Sequence, residues 1–309
     1  MKIMFMGTPE IAAHVLDYLI ENGRNICSVV TREDKPKGRG NVMTPTPVRV
    51  LAEKNGIRVY TPKTLRDEEF AKILNDEAPD IIVVVAYGKI LPKSVLEFSK
   101  FGCVNLHVSL LPKYRGSAPM QRAIMNGETE TGVTVMHMDE GLDTGDIIAV
   151  EKFPIKDDDN LETIHDRSAA VGAVLLNSTL DEIFAGRATR VKQNESEATY
   201  APKIEKSDMK IDFSLDARTV SCKIRGVTPP GAFAFHNGKM LKIISVEAVS
   251  GSGKPGEVIF AEPKGEGYID IACRSGAIRA YVLVPEGKGR MSAGDYLRGR
   301  KIQKGDILS

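Results

Sequence analysis

The first half of the chain alternates between two periodicities, and this alternation restricts the fold more than any other feature. Four short apolar runs are bounded by turn residues, as buried parallel strands are: Ile3–Met6, Ile26–Val30, Ile81–Val85 and Val104–Leu106. Helical patterns lie between or after them: Ile11–Ile20, Val48–Ala52, Phe70–Leu74, Val95–Phe98 and Leu161–Ile183. Strand–helix alternation predicts βαβ units with right-handed crossovers, and therefore a Rossmann-like, doubly wound parallel sheet.

The last third of the chain has a different sequence pattern. A helix pattern at Leu215–Arg225, with Ser214 as its expected cap, precedes five short strand patterns separated by Gly and Pro: 232–235, 240–246, 258–260, 268–273 and 278–284. Five short strands in this space predict a small C-terminal β-barrel of the oligonucleotide-binding (OB-like) type. Residues 189–205 are polar and aperiodic. We therefore expect a first domain at 1–188, a linker at 189–205 and a second domain at 206–309.

Composition excludes several classes of protein. The 309 residues are 42% hydrophobic and 27% charged, as in globular chains, and no apolar run is long enough to span a membrane. The apolar stretch before Gly7 is too short for a secretory signal. The four cysteines show no paired spacing, which argues against a disulfide scaffold or zinc ribbon. We expect a cytoplasmic protein.

Charge is unevenly distributed along the chain. Residues 206–309 contain 17 Lys and Arg against 11 Asp and Glu, a net charge of +6, whereas the whole chain has a net charge of +1. A basic C-terminal third is compatible with an anionic partner and also with an ordinary charged surface.

The turn after the first strand lacks a nucleotide-binding fingerprint. A dinucleotide fold needs Gly-x-Gly-x-x-Gly at this turn, and the second and third glycine positions here are Pro9 and Ala12. An NAD-dependent enzyme is therefore not favoured.

The densest polar cluster follows the fourth strand pattern. Asn105, His107 and Ser109 alternate, so they face the same side if the strand remains extended, and a Pro- and Gly-containing loop follows them. Open α/β sheets bind ligands beyond the carboxyl ends of their strands. The three residues together predict a functional site, although each could instead satisfy a turn.

A second cluster is the acidic segment Met138–Asp146, which has four acids and two glycines. It could bind a cation, but the calcium-loop pattern is absent. One of its acids could instead orient and charge His107. A serine-hydrolase triad is not favoured, because Ser109 lacks the Gly-x-Ser-x-Gly turn that exposes such a nucleophile. His137 has apolar neighbours and is expected to be structural.

A third feature is the basic segment Arg32–Asn41, directly after the second strand pattern. It is either a solvated mobile loop or an arm that neutralises phosphates near the site.

These motifs together resemble the 10-formyltetrahydrofolate-dependent formyltransferases. The resemblance is carried by Asn105-x-His107-x-Ser109-Leu110-Leu111-Pro112-x-Tyr114-Arg115-Gly116, and by Asp143 within Gly141–Asp146, 36 residues after His107. It extends over essentially the whole chain, from Gly7-Thr8-Pro9 to Arg290–Ala293.

The resemblance implies formyl transfer from 10-formyltetrahydrofolate without a metal. Asn105 and His107 would stabilise the developing oxyanion, and Asp143 would orient and charge His107. The folate would be bound by three short segments: Ala86, Tyr87 and Gly88; Ser109, Leu110, Leu111 and Pro112; and Asp139 with Gly141.

The resemblance also implies an initiator methionyl-tRNA as the acceptor. Lys35, Lys37 and Arg39 would contact its acceptor end and the basic second domain its backbone. Separately, we expect a monomer that does not associate with a membrane. Two positions depart from the family: Val108 replaces a usual Gly or Ala, and an aromatic is missing near Pro229-Pro230. A glycinamide ribonucleotide or nucleotide-sugar acceptor, or an inactive RNA-binding protein, remain alternatives.

Overall fold

The computed structural model describes residues 1–37, 40–299 and 302–309, with Lys37 described by its backbone alone. The chain forms two compact units. The first comprises Met1–Gly116, Gly132–Phe153 and His165–Tyr200, and the second comprises Ser117–Thr131, Pro154–Ile164 and Ala201–Ser309. The domain boundaries at 1–188, 189–205 and 206–309 stay a prediction.

Strands and helices alternate in the N-terminal half of the chain, and strands predominate in the C-terminal third. The strands are β1 Ile3–Gly7, β2 Ile26–Val30, β3 Lys35–Lys37, β4 Val42–Thr44, β5 Val59–Tyr60, β6 Ile81–Val85, β7 Cys103–His107, β8 Arg115–Gly116, β9 Glu130–His137, β10 Ile147–Pro154, β11 Tyr200–Ala201, β12 Ala232–His236, β13 Lys239–Val249, β14 Val258–Glu262, β15 Tyr268–Ala272, β16 Ala277–Pro285 and β17 Met291–Ser292. The α-helices are α1 Glu10–Glu21, α2 Pro47–Lys54, α3 Glu68–Glu77, α4 Lys93–Leu96, α5 Pro119–Met125, α6 Leu161–Phe184, α7 Ala217–Gly226 and α8 Ala293–Gly299.

The first unit is built on a sheet with strand order β10-β9-β7-β6-β1-β2-β5. Adjacent strands from β7 to β5 are parallel, and β9 runs antiparallel to β7. Strands β1, β6 and β7 are buried along their whole length, as expected when both faces of a parallel sheet are covered. The predicted Rossmann-like sheet is confirmed, and the antiparallel β9 makes it a mixed one.

The sheet reverses its strand order at β1, because the chain adds β2 and β5 on one side and then crosses to β6 and β7 on the other. The crevice beyond the carboxyl ends of β1 and β6 is therefore a topological switch point, where open α/β sheets bind ligands.

The second unit contains the antiparallel sheet β12-β13-β16-β15-β14, with β17 paired to β16. The β12–β13 turn places Asn237 and Gly238 at positive φ, as an Asn-Gly hairpin requires. All five predicted strands are present, so the predicted β-rich second domain is confirmed.

The C-terminal tail joins the two outer strands of that sheet. Phe235 of β12 exchanges backbone hydrogen bonds with Ser309, and Val258 of β14 donates to the carbonyl of Asp306. His236 also lies 3.1 Å from a carboxylate oxygen of Asp306. These contacts connect the two edge strands of the sheet, β12 and β14, through the C-terminal tail.

One predicted cap was wrong. Helix α7 begins at Ala217 and its cap is Asp216, whose carboxylate accepts from the Thr219 backbone N–H at 3.0 Å. Ser214 instead donates its hydroxyl proton to Asp212. A carboxylate is favoured at this position because it also complements the positive end of the helix dipole. In the described part of the chain, helices long and apolar enough to cross a membrane are absent.

Candidate active site

Strand β7 ends in two polar side chains, Asn105 and His107. They are two residues apart on an extended strand, so both project from the same face of the sheet. Asn105 is 9% exposed and His107 6% exposed, which is uncommon for polar side chains that lack a structural task.

The two ring nitrogens of His107 have different surroundings. Nε2 donates to the backbone carbonyl of Tyr114 at 3.0 Å, because a carbonyl can only accept. Nδ1 lies 3.7 Å from Oδ2 of Asp143, which is too long for a hydrogen bond. The first contact fixes the ring orientation and leaves Nδ1 as the nitrogen that can face a reacting group.

The Asn105 amide is the second free donor at this point. Within residues 1–37, 40–299 and 302–309, no hydrogen bond involves its side chain. Although the residue is 9% exposed, its amide atoms are not among the fully buried unpartnered ones, so the amide is open to a ligand that enters from solvent.

Asp143 lies in the loop after β9, and this loop turns back towards His107. Because β9 is antiparallel to β7, its last residue His137 lies opposite Val104, three residues before His107. The loop must therefore turn back to bring Asp143 beside the ring. Asp143 has a positive φ of 54° and its Oδ2 accepts the Gly116 N–H at 2.8 Å.

Two glycines allow this loop to fold tightly. A Cβ at Gly145 would lie 1.7 Å from the carbonyl oxygen of His137, and a Cβ at Gly141 would lie 2.0 Å from Oγ1 of Thr144. Asp139, which we predicted to contact the folate, braces the turn by accepting from the Gly141 N–H at 3.0 Å and the Thr144 hydroxyl at 2.6 Å.

The segment Ser109–Pro112 forms the turn after β7. The Ser109 hydroxyl donates to the carbonyl of Lys113 at 2.7 Å. Thr134 of β9 donates to the Ser109 carbonyl at 2.7 Å and accepts from the Leu111 N–H at 3.2 Å. The hydroxyls of Ser109 and Thr134 therefore shape this turn.

The segment Ala86, Tyr87 and Gly88 follows β6 at the neighbouring strand end. Ala86 and Gly88 have positive φ values of 46° and 76°. Tyr87 is 1% exposed, and burial raises the pKa of its phenol to about 12, so the group is protonated near neutrality. Among the described residues, neither its hydroxyl nor Nε of Arg32, which packs on Gly88, has a hydrogen-bond partner.

The basic segment after β2 begins as a hairpin. Strands β3 and β4 pair with Lys35 opposite Thr44, and the side chains of Val42 and Met43 are exposed. Asp34 at its base is 3.0 Å from Arg49 of α2. The Lys37 side chain and all of Arg39 lie outside the described residues, so their predicted RNA contacts have no structural description.

Sequence reasoning missed two buried groups at the site. Arg115 is fully buried, and Gln193, inside the predicted linker, is 5% exposed and hydrogen-bonded to Arg115 and to the acidic loop. The one available signal was the place of Arg115 in the motif after Pro112. Groups of three or more His, Cys, Asp or Glu able to hold a metal are absent from the described residues.

Family models match both parts of the chain. Residues 1–180 match the family described as formyl transferase, and residues 203–301 match the formyl transferase C-terminal domain. The first match covers more than half of the chain, which therefore belongs to the formyl transferase family. The predicted resemblance is confirmed: the chain is an enzyme of the formyl transferase class.

Full-length relatives narrow this class. The chain is 49% identical over 309 residues to the methionyl-tRNA formyltransferase of Geotalea uraniireducens, covering 100% of this chain and 98% of that protein. It is 43% identical to the methionyl-tRNA formyltransferase of Caldanaerobacter subterraneus, covering 100% of both. Within the formyl transferases, the chain belongs with the methionyl-tRNA formyltransferases.

Solved structures of more distant proteins share the fold. The sugar 3N-formyl transferase WlaRD, solved in the presence of dTDP and 5-N-formyl-THF, has a TM-score of 0.66 at 22% identity, covering 94% of this chain and 99% of that one. The N-formyltransferase of Helicobacter canadensis, solved with folinic acid and dTDP-3-aminofucose, has a TM-score of 0.64 at 23% identity, covering 91% and 98%.

Proposed function

We propose that this enzyme transfers a formyl group from 10-formyltetrahydrofolate to the α-amino group of methionyl-initiator tRNA. The observation that carries the proposal is the arrangement at the end of β7. There, the Asn105 amide, which has no hydrogen-bond partner among the described residues, projects from the same face of β7 as the His107 ring, whose Nδ1 faces Asp143 at 3.7 Å. Relatives that carry the methionyl-tRNA name over the full length support the choice of acceptor.

Asn105 and His107 would bind the oxygen that becomes negative during the reaction. The neutral amine forms a bond to the formyl carbon, and the carbonyl electrons move to its oxygen. The Asn105 amide and the Nδ1–H of His107 are two buried donors for this charge, and losing one such donor typically costs about 10² to 10³ in rate.

Asp143 would keep a positive charge on His107 and assist proton movement. Both ring nitrogens of His107 face oxygens that accept hydrogen bonds, the Tyr114 carbonyl and the Asp143 carboxylate. A proton on each ring nitrogen would keep the bond from Nε2 to Tyr114 and leave Nδ1–H, beside the Asp143 carboxylate, to donate to the developing oxyanion. When the bond to the folate nitrogen breaks, the proton lost by the attacking amine passes to that nitrogen, and the carboxylate stabilises the charges during this transfer.

We assign folate binding to residues beside these donors: Ala86, Tyr87, Gly88, Ser109, Leu110, Leu111, Pro112, Asp139 and Gly141. The bound folate supplies a formyl group already activated on nitrogen. The backbone at Ala86 and Gly88 is held in left-handed conformations, and exposed backbone groups of this kind can hydrogen-bond a flat heterocycle.

We assign tRNA binding to Lys35, Lys37 and Arg39 in the first unit and to the basic C-terminal segment. The hairpin β3–β4 follows the carboxyl end of β2, and His107 lies at the carboxyl end of β7. Because the two strands run in the same direction, both features lie at the same edge of the sheet. Arg32, whose Nε has no partner within the part of the chain that the structure describes, adds a cation at this edge. Scattered cations suffice because duplex RNA is recognised largely by shape and phosphate.

Formylation of charged initiator tRNA tests the proposal directly. His107→Ala should reduce turnover by at least about 10² while tRNA affinity is unchanged, because the ring stabilises charge formed only in the reaction. Arg39→Ala should raise the KM for tRNA. His165→Ala, which changes a partly exposed histidine on α6, serves as the control.

Three outcomes would each contradict a part of the proposal. Normal turnover by His107→Ala would remove the ring from the mechanism. Preferential formylation of an amino-sugar nucleotide would replace the acceptor. Affinity for tRNA should also fall steeply between low and moderate salt, and a flat dependence would remove the phosphate contacts.

A further inference from the structure

The loop that carries Asp143 is held by a side chain from a distant segment. Nε2 of Gln193 donates to the carbonyl of Asp143 at 2.9 Å and to the carbonyl of Gly145 at 2.7 Å. Gln193 is 50 residues from Asp143 along the chain and 5% exposed. These two bonds fix the backbone on both sides of Thr144, next to the carboxylate that faces His107.

Gln193 is itself held by Arg115. Its Oε1 accepts from Nε of Arg115 at 3.1 Å and from Nη2 at 2.8 Å. The fully buried guanidinium also makes two bonds of 2.9 and 2.8 Å to the Glu195 carboxylate. Arg115 thus bonds a neutral amide on one edge and a carboxylate on the other, which restricts its rotation.

Three consecutive residues connect this arrangement to the ring. The Tyr114 carbonyl accepts a hydrogen bond from Nε2 of His107 and so orients the ring. The Arg115 side chain donates to Gln193, and the Gly116 N–H donates to the carboxylate of Asp143. A displacement of either the loop or this segment would therefore change the spacing between Asp143 and His107.

The chemistry at position 193 requires an amide. On one side are two carbonyl oxygens, which only accept, and on the other is a guanidinium, which only donates. A glutamate could not donate to the carbonyls, and a lysine could not accept from Arg115. Among side chains of this length, glutamine alone satisfies both.

We infer that Gln193, seated by Arg115, is a positioning residue that sets the Asp143–His107 geometry for formyl transfer. This inference rests on the proposed function, because the effect passes through Asp143. It assigns an activity-determining task to a segment that sequence patterning predicts to be only a linker.

Two substitutions release the loop in different ways. Gln193→Glu retains an acceptor for Arg115 but turns both carbonyl contacts repulsive, and Gln193→Met removes all four bonds without adding charge. Both should lower kcat by about 10- to 100-fold with KM for tRNA unchanged. Glu197→Gln changes an exposed carboxylate in the same segment and should leave kcat unchanged.

A double-mutant cycle separates positioning from general loss of structure. In single-turnover measurements, adding Gln193→Met to Asp143→Ala should cause no further fall in rate, because residues acting through one another are not additive. Full additivity of the two effects, or wild-type kcat in Gln193→Met, would overturn the inference. Wild-type kcat in Asp143→Ala itself would instead refute the proposed function of the carboxylate.

Discussion

Replacing Asn105 by Leu should separate activity from stability. The amide is 9% exposed and has no hydrogen-bond partner among the residues that the structure describes. The amide atoms are not among the fully buried unpartnered side-chain atoms, so they keep contact with water, and removing them should gain only the low end of the about 1 to 3 kcal/mol that burying an unpartnered amide costs. Leu has the same number and branching of side-chain heavy atoms, so Asn105→Leu should stabilise the first unit by about 1 kcal/mol while turnover falls by about 10² to 10³.

Thermal unfolding and turnover measure the two effects on the same protein. A gain of about 1 kcal/mol should raise the unfolding temperature of a unit of this size by about 2 to 4 °C. Thr134→Val is the matched control, because this fully buried hydroxyl has two partners, the Ser109 carbonyl at 2.7 Å and the Leu111 N–H at 3.2 Å. Its loss should destabilise by about 1 to 3 kcal/mol.

A single result would refute this reasoning. If Asn105→Leu lowers the unfolding temperature as Thr134→Val does, the amide contributes to folding rather than being held for a ligand. Unchanged turnover in a stabilised Asn105→Leu would remove the amide from the reaction while leaving the stability argument intact.

Three further predictions concern the loop, the phenol and the tail. Gly145→Ala would place a Cβ 1.7 Å from the His137 carbonyl oxygen, so the loop that carries Asp143 must shift. We expect kcat to fall at least about tenfold, and a wild-type kcat would contradict this prediction. Because burial raises the pKa of Tyr87 to about 12 from about 10 in an unfolded chain, its stabilisation is complete below pH 10 and is lost as the pH approaches 12. Urea unfolding from pH 8 to 12 should therefore show a smaller alkaline loss in Tyr87→Phe than in wild type. Deleting Ile307–Ser309 should lower the unfolding temperature of the second unit, because β12 loses its two backbone hydrogen bonds to Ser309. Calorimetry measures this temperature, and an unchanged transition would contradict the prediction.

The sheet and its helices follow from local patterns in the sequence. Strands such as Ile81–Val85 appear as predicted because an apolar run bounded by turn residues can bury itself only as a central strand. The Thr46 cap of α2 accepts from the Arg49 N–H, and Asn237-Gly238 forms its hairpin, because both depend on neighbouring residues alone.

Part of the candidate site is equally local. Asn105 and His107 share a face because they are two residues apart on one strand, so the polar cluster after β7 was predictable. The motif also located the acidic loop, although its distance from His107 could not be derived from spacing.

Only the tertiary structure decided how the acidic loop returns to His107. The antiparallel direction of β9 places His137 opposite Val104, and the 3.7 Å between Asp143 and His107 then depends on Gln193, a residue 50 positions away. The segment around Gln193 has neither apolar periodicity nor turn chemistry, so no local pattern reveals that it is buried. Strands and helix caps depend on adjacent residues, so the sequence by itself determined them. Hydrogen bonds between distant segments depend on how the backbone packs, so only the tertiary structure decided them.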